Sequence, residues 1–289
     1  MKKIKKNIFL IVFLFTVFFS SCEIINPEET VPSYLRIDTI KLDVASNLGS
    51  NSHKITDAWV YVDDQAIGAF ELPAKLPILV EGKHKVFIKA GIKVNGIADT
   101  RGAYPFYDGY TTEVNFVKDS VVKINPIVNY YSVTTFPLNE DFESSGILLI
   151  KTSRSDTTIE KTNATFNVFE GEYSGIVHLT PAADLFECES MEAFKLPLSG
   201  NPIFLELNYK TEIPFSVGIF ANYRDGSSKQ HSIFVVNKSN NWNKIYINMA
   251  EGISNYPDAI DFNIYIGTTL PTTQNEATLL FDNIRLVHN

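Results

Sequence analysis

The stretch Asp261-Phe262-Asn263-Ile264-Tyr265-Ile266 alternates polar or amphipathic residues with apolar ones, without a break. A period of two is the spacing of a strand with one face buried, so Phe262, Ile264 and Ile266 point to a core while Asp261, Asn263 and Tyr265 point away from it. The same pattern recurs outward along the chain, over 204–209, 215–223, 232–236 and 242–248. Further toward the N-terminus it continues through Leu35, Ile37, Ile40, Leu42 and Val44, then 58–62, 66–70, 79–81, 84–90, 114–116 and 121–124. Turn residues such as the Asp63-Asp64 pair and Gly82 separate these runs, and Pro73 and Pro77 mark a loop. The expectation is an all-β chain. Its length favours two β-sandwich domains, over 34–131 and 136–289.

The first 22 residues follow a different rule. Lys2, Lys3, Lys5 and Lys6 precede an apolar run over 8–19, which ends at Ser20, Ser21 and Cys22. A cationic start, an apolar stretch too short to span a bilayer and small residues before the cut constitute a secretion signal, over 1–21. The residues before Cys22 resemble a bacterial lipobox, with Phe19 where leucine is usual. The resemblance implies cleavage before Cys22 and acylation of that cysteine, with palmitate among the chains; the competing reading is an uncleaved signal anchor. Several acyl chains hold a protein on a membrane essentially permanently. Residues 22–33, with Pro27, Glu28, Glu29 and Pro32, read as a tether. Its acidic residues loosely resemble the surface-export signals of Bacteroidota lipoproteins. The implied location is the outer membrane, with either face open.

Composition narrows the partners. Without the four leader lysines, 21 basic residues stand against 33 acidic ones, a balance of −12. That disfavours nucleic acid and anionic lipid as partners. An acylated Cys22 leaves Cys188 alone, so no intramolecular disulfide is expected. Flanking Glu187 and Glu189 raise a thiol pKa, which makes Cys188 a structural thiol rather than a nucleophile. His53, His84, His178, His231 and His288 lack metal-ligand spacing, and no nucleophile elbow, phosphate loop or dinucleotide fingerprint is present. The chain is expected to be non-catalytic.

Two family resemblances add to this reading. Trp59-Val60-Tyr61-Val62-Asp63-Asp64-Gln65-Ala66-Ile67-Gly68, then Glu81-Gly82-Lys83-His84-Lys85-Val86 and later Gly109-Tyr110, resemble the PEGA family of small β domains. That implies an envelope scaffold or interaction module. The insert at 95–108 departs from the pattern and carries Arg101, Tyr104, Phe106 and Tyr107, the composition of an interface anchor for an outer-membrane protein partner. Loop aromatics also cap sandwich ends, so both readings stand.

The second resemblance lies at the two ends of 136–289. Leu138-Asn139-Glu140-Asp141-Phe142-Glu143 and Leu280-Phe281-Asp282-Asn283-Ile284-Arg285-Leu286 resemble the ends of jelly-roll carbohydrate-binding modules. It implies a structural calcium held by Glu140, Asp141, Glu143 and Asp282, with capping or solvated carboxylates as the alternative. It also implies a glycan face. Strand parity puts Glu206, Asn208, Phe220, Asn222, Asn263 and Tyr265 outward, with Tyr223 and Arg224 at the rim. Exposed polar residues are what alternation requires in any sandwich.

The triplets Asp38-Thr39-Ile40, Asp119-Ser120-Val121 and Asp156-Thr157-Thr158 resemble Bacteroidota O-glycosylation acceptors. The expectation is an accessory or scaffold lipoprotein of an outer-membrane complex, with glycan capture by the jelly roll as the alternative.

Overall fold

Apart from one short helix, regular structure in the computed structural model is β; it describes residues 30–45, 49–198 and 200–289. The signal segment, Cys22 and most of the tether lie outside the described residues. The N-terminal part contains β1 (Ser33–Ile37), β2 (Lys41–Leu42), β3 (Asp57–Val62), β4 (Gln65–Glu71), β5 (Ala74–Ile78), β6 (Gly82–Lys93), β7 (Arg101–Ala103), β8 (Gly109–Phe116), β9 (Val121–Ile124) and β10 (Ile127–Val128). Strands β3, β4, β6, β7 and β8 form one sheet, which faces the sheet β5-β1-β9 and the small pair β10-β2. Between them Leu35, Ile37, Val60, Val86, Ile88 and Phe116 are buried, the inward set that alternation demands.

One element differs from the sequence reading. Residues 74–78, taken as part of a proline-marked loop, form β5, and Leu79 and Val80 hang exposed beyond its end instead of forming a strand. The reason is position. β5 is a sheet edge, where Pro77 removes no ladder hydrogen bond that an inner strand would need.

The C-terminal part contains β11 (Thr135–Glu140), β12 (Leu149–Lys151), β13 (Glu160–Thr162), β14 (Ser174–Leu179), β15 (Leu185–Ser190), β16 (Ile203–Thr211), β17 (Phe215–Asn222), β18 (Ser228–Val236), β19 (Ser239–Asn248), the short helix α1 (Ala250–Ser254), β20 (Asp261–Thr269) and β21 (Ala277–His288). One sheet runs β13-β14-β21-β16-β19, with β11 also on β21; the other runs β12-β15-β20-β17-β18. They pack as a jelly-roll sandwich around Phe186, Leu205, Phe215, Ile219, Phe262, Phe281 and Leu286. Cys188 lies in this core, and burial, with Glu187 and Glu189 alongside, pushes its thiol up to about 12. At neutral pH that thiol is protonated and inert.

The N-terminal core takes in three side chains of the jelly roll. Strands β16 and β21, and residues 244–247 of β19, are buried on both faces, and their outward side chains Phe204, Tyr246 and Val287 belong to the N-terminal cluster. The turn at Asn95 and Gly96 fastens the two together. The Asn95 N–H donates to the Tyr246 carbonyl at 2.8 Å, and the Asn95 side-chain oxygen accepts from the Asn248 N–H at 2.8 Å.

Candidate functional site: the open face of the jelly roll

A sandwich has two outer faces. In this chain the outer face of β21-β16-β19 is largely closed by the N-terminal part, which settles the placement of several candidate residues. Tyr104, Phe106 and Tyr107 are 3%, 0% and 3% exposed. Tyr104 packs edge-on against Phe204, Phe106 and Tyr107, with centroids 4.6–5.3 Å apart. The aromatic insert therefore binds this chain's own jelly roll and offers no rings to an external partner. Arg101 likewise pairs with Asp57 and, at 3.2 Å, with Glu71 inside the N-terminal sheet. The large area and low entropy cost that qualify such side chains as anchors operate here within the chain.

Glu206 and Asn208 do point out of the jelly roll, as parity requires, but into that closed interface. Glu206 is fully buried, accepting the Tyr104 hydroxyl at 2.6 Å and the Tyr130 hydroxyl at 2.8 Å, with Lys244 Nζ 2.9 Å away. Burial alone raises its carboxyl; the Lys244 ammonium, the Tyr104 hydroxyl and Arg285 outweigh that and hold it below its ordinary value. Asn208 accepts from the Ser52 hydroxyl at 3.0 Å. Neither is available to a glycan.

The carboxylates proposed for calcium are mostly spent on backbone donors. Glu140 accepts the N–H groups of Phe142 and Leu148, Asp141 accepts that of Glu143, and Glu143 accepts those of Glu172 and Tyr173. Asp282 accepts the Ser174 hydroxyl at 2.5 Å and the Asn283 N–H at 2.7 Å, and burial raises its carboxyl to about 7. Among the described residues no group of three His, Cys, Asp or Glu side chains is placed to hold a metal ion. Capping accounts for these contacts, while Asp141, Glu143 and Asp282 also line one small cavity together with Glu170.

The other outer face, on β15-β20-β17-β18, is open. Register places Glu189, Tyr265, Gly218 and Ser232 in one row across it; Glu187, Gly267 and Ser216 in a second; Asn263, Phe220 and Gln230 in a third; and Asp261, Asn222 and Ser228 in a fourth. Phe220, Asn222, Asn263 and Tyr265 are thus together, as sequence parity proposed. Asn222 donates to Asp261 at 2.9 Å and to Asn263 at 2.8 Å, and Asn263 donates to the Ser190 carbonyl at 2.8 Å, which fixes both amides. Phe220 stays partly exposed, with its ring centroid 5.3 Å from that of Tyr265.

Tyr265 is only 4% exposed, so it is the floor rather than the platform. Its ring lies over Gly218, where an added Cβ would meet Tyr265 Cε1 at 2.6 Å and the His231 carbonyl oxygen at 2.1 Å. Gly267 likewise leaves the next row without a side chain. Above this bare strip, Gln230 on β18 donates to Glu187 on β15 at 2.6 Å, and Arg154 donates to Gln230 at 3.0 Å. Strands three steps apart in a flat sheet are separated by about 14 Å, so contact between these side-chain tips requires the face to curl. The result is a concave trough, with a cavity of about 260 Å³ lined by Arg154, Glu187, Ser216, Gln230, Tyr265 and Gly267. Thr152 donates to Glu187 at 2.8 Å and orients it.

Sequence reasoning missed Arg154, Glu187 and Gln230. The signal for one was present: an inward Cys188 makes Glu187 and Glu189 outward on the same strand. Arg154, on a loop, and Gln230, beyond the expected start of its strand, carried none.

No protein-family model matches the chain, and neither does any curated protein sequence. Among solved structures it is similar to the C-terminal family 22 carbohydrate-binding module of Clostridium thermocellum Xyn10B, at 15% identity over 53% of this chain and 94% of that one, with a TM-score of 0.37. Carbohydrate-binding modules of the β-sandwich superfamily with promiscuous specificity match at 14% identity over 90% and 99%, with a TM-score of 0.40. A family 29 carbohydrate-binding module variant matches at 12% identity over 55% and 92%, with a TM-score of 0.32. With TM-scores of this size, the architecture rests on the strands described above.

Proposed function

We propose that this chain is a non-catalytic envelope lipoprotein that captures a neutral glycan on the open face of its jelly roll. The observation that carries the reading is the β15-β20-β17-β18 face, which the N-terminal sandwich does not cover: a cavity under the Arg154-Gln230-Glu187 bridge and, outside that cavity on the same face, a partly exposed phenylalanine, Phe220, among fixed amides. A sugar ring presents an apolar face, which suits Phe220, and a rim of hydroxyls, which suits Asn222, Asn263 and Gln230. Neutral sugars fit better than anionic ones. Glu187, Glu189 and Asp261 outnumber Arg154 here.

The accessory-subunit reading drew its contact surface from the aromatic insert, and those rings are used internally. The anchor at Cys22 and the outer-membrane location belong to this proposal, supported by the lipobox resemblance. Screening the folded protein against neutral and anionic oligosaccharides tests the glycan reading. Binding to a neutral class, abolished in Phe220→Ala/Asn222→Ala with the fold intact, supports it. Binding that survives the double substitution, or an array on which the folded protein binds nothing, overturns it.

A further inference from the structure

The pole of the N-terminal sandwich farthest from the jelly roll carries an apolar surface that the glycan reading does not use. β1 and β9 begin there, β5 and β8 end there, and β6 starts there, as the pairs Ser33 with Ile78, Tyr34 with Val121 and Gly82 with Phe116 show. Leu79 is 66% exposed, and Val31, Val80, Val117 and Val121 stand exposed around it. Five exposed aliphatic side chains gathered at one pole are the kind of feature that marks an interaction surface.

We propose that this pole rests on a phospholipid bilayer, its aliphatic side chains dipping to the headgroup and acyl boundary. The inference rests on the lipid-anchored reading of Cys22. Three features select a bilayer as the occupant. The described chain enters at this pole at residue 30, eight residues beyond Cys22, and eight residues reach at most about 29 Å. An anchor at Cys22 thus keeps this pole, rather than any other, near the membrane.

Three of the four carboxylates here are matched: Asp63 pairs with His84 at 2.5 Å, Asp64 with Lys85 at 3.1 Å and Glu81 with Lys118 at 3.2 Å, and the fourth, Asp119, is offset in charge by Lys83 at the same pole. The pole thereby escapes the repulsion that the acidic balance of the chain would otherwise bring against anionic headgroups. Finally, the twelve residues of β6 run from this pole to the junction where Val94 bridges Tyr246, a strand length of about 40 Å. Phe204, Tyr246 and Val287, packed into the N-terminal core, and the Asn95 hydrogen bonds make that a stiff spacer. With the pole on lipid, the trough is held well clear of the headgroups.

The test uses the full lipidated protein in vesicles of phosphatidylcholine and phosphatidylglycerol with brominated acyl chains, which quench only indoles at membrane depth. Three variants, Leu79→Trp and Val117→Trp at the pole and Val235→Trp on the jelly roll, are each read as the difference from the unsubstituted protein, whose Trp59 and Trp242 also emit. The expected result is that the indoles at positions 79 and 117 shift to the blue and lose most of their emission, while the one at 235 is unchanged. Equal emission at all three positions, with intact mass showing acyl chains on Cys22, overturns the membrane contact and leaves the anchor standing. A blue shift without quenching also overturns it, since that signals protein packing. Absence of acyl mass on Cys22 overturns the anchor itself, and this proposal with it.

Discussion

Replacing Lys244 by Met tests whether the two sandwiches are locked by a buried charge. In the native chain Glu206 is completely buried, and Lys244 Nζ at 2.9 Å is its nearest cation. Methionine preserves most of the lysine stem and removes the ammonium. The carboxylate then keeps the Tyr104 and Tyr130 hydroxyls and loses its nearest counter-charge, leaving only the more distant Arg285. Breaking a buried pair in this way costs about 3–5 kcal/mol, whereas replacing both partners by uncharged groups is often near neutral.

The pH dependence follows from the signs. The native Glu206 carboxyl is held below its ordinary value, so its contribution persists on acidification until the pH falls through that depressed value. In Lys244→Met burial dominates, and the carboxyl rises above its unfolded value. The penalty is then full at neutral pH and is relieved as the carboxyl protonates. Urea unfolding followed by circular dichroism should show the variant destabilised by about 3–5 kcal/mol near neutral pH, with a smaller gap near about pH 5. Adding Glu206→Gln should restore most of the loss. A gap below about 1 kcal/mol, or one that does not change with pH, would refute the reasoning.

Other outcomes follow from the same geometry. Phe220→Ala should weaken glycan binding by about tenfold or more without changing the melting temperature, measured by calorimetric titration and thermal circular dichroism. Gly218→Ala drives a methyl into the His231 carbonyl and the Tyr265 ring, so it should lower both thermal stability and affinity; unchanged values would show that the trough floor is not packed as described. Millimolar calcium or a chelator should move the melting temperature by less than about a degree, since only binding to the folded state produces a larger shift. A rise of several degrees with calcium would restore the metal reading of Glu140, Asp141, Glu143 and Asp282.

Alternation made the strands legible. Phe262, Ile264 and Ile266 are inward and Asp261, Asn263 and Tyr265 outward, as their spacing alone dictates. What alternation does not carry is which outer face a neighbouring domain covers. Glu206 and Asn208 have the same pattern as Asn222 and Asn263, yet one pair is buried and the other is open. The hint lay on the same face as Glu206, where Phe204, Tyr246 and Val287 place large side chains on an outward surface. The aromatic insert failed for a related reason, since loop aromatics look alike whether they meet another protein or the next domain of their own. Ala74–Ile78 was hidden by Pro77, because a proline reads as a break until the strand is known to lie at an edge.

The central claim, that the open jelly-roll face takes a glycan, is tested most directly by hydrogen exchange of the backbone amides with and without a bound oligosaccharide from the screen. The account predicts added protection in β17, β18 and β20 and in the loop carrying Arg154. Protection instead on the opposite sheet, around the cavity lined by His178, Lys210 and Glu212, or on the N-terminal sandwich, would contradict it.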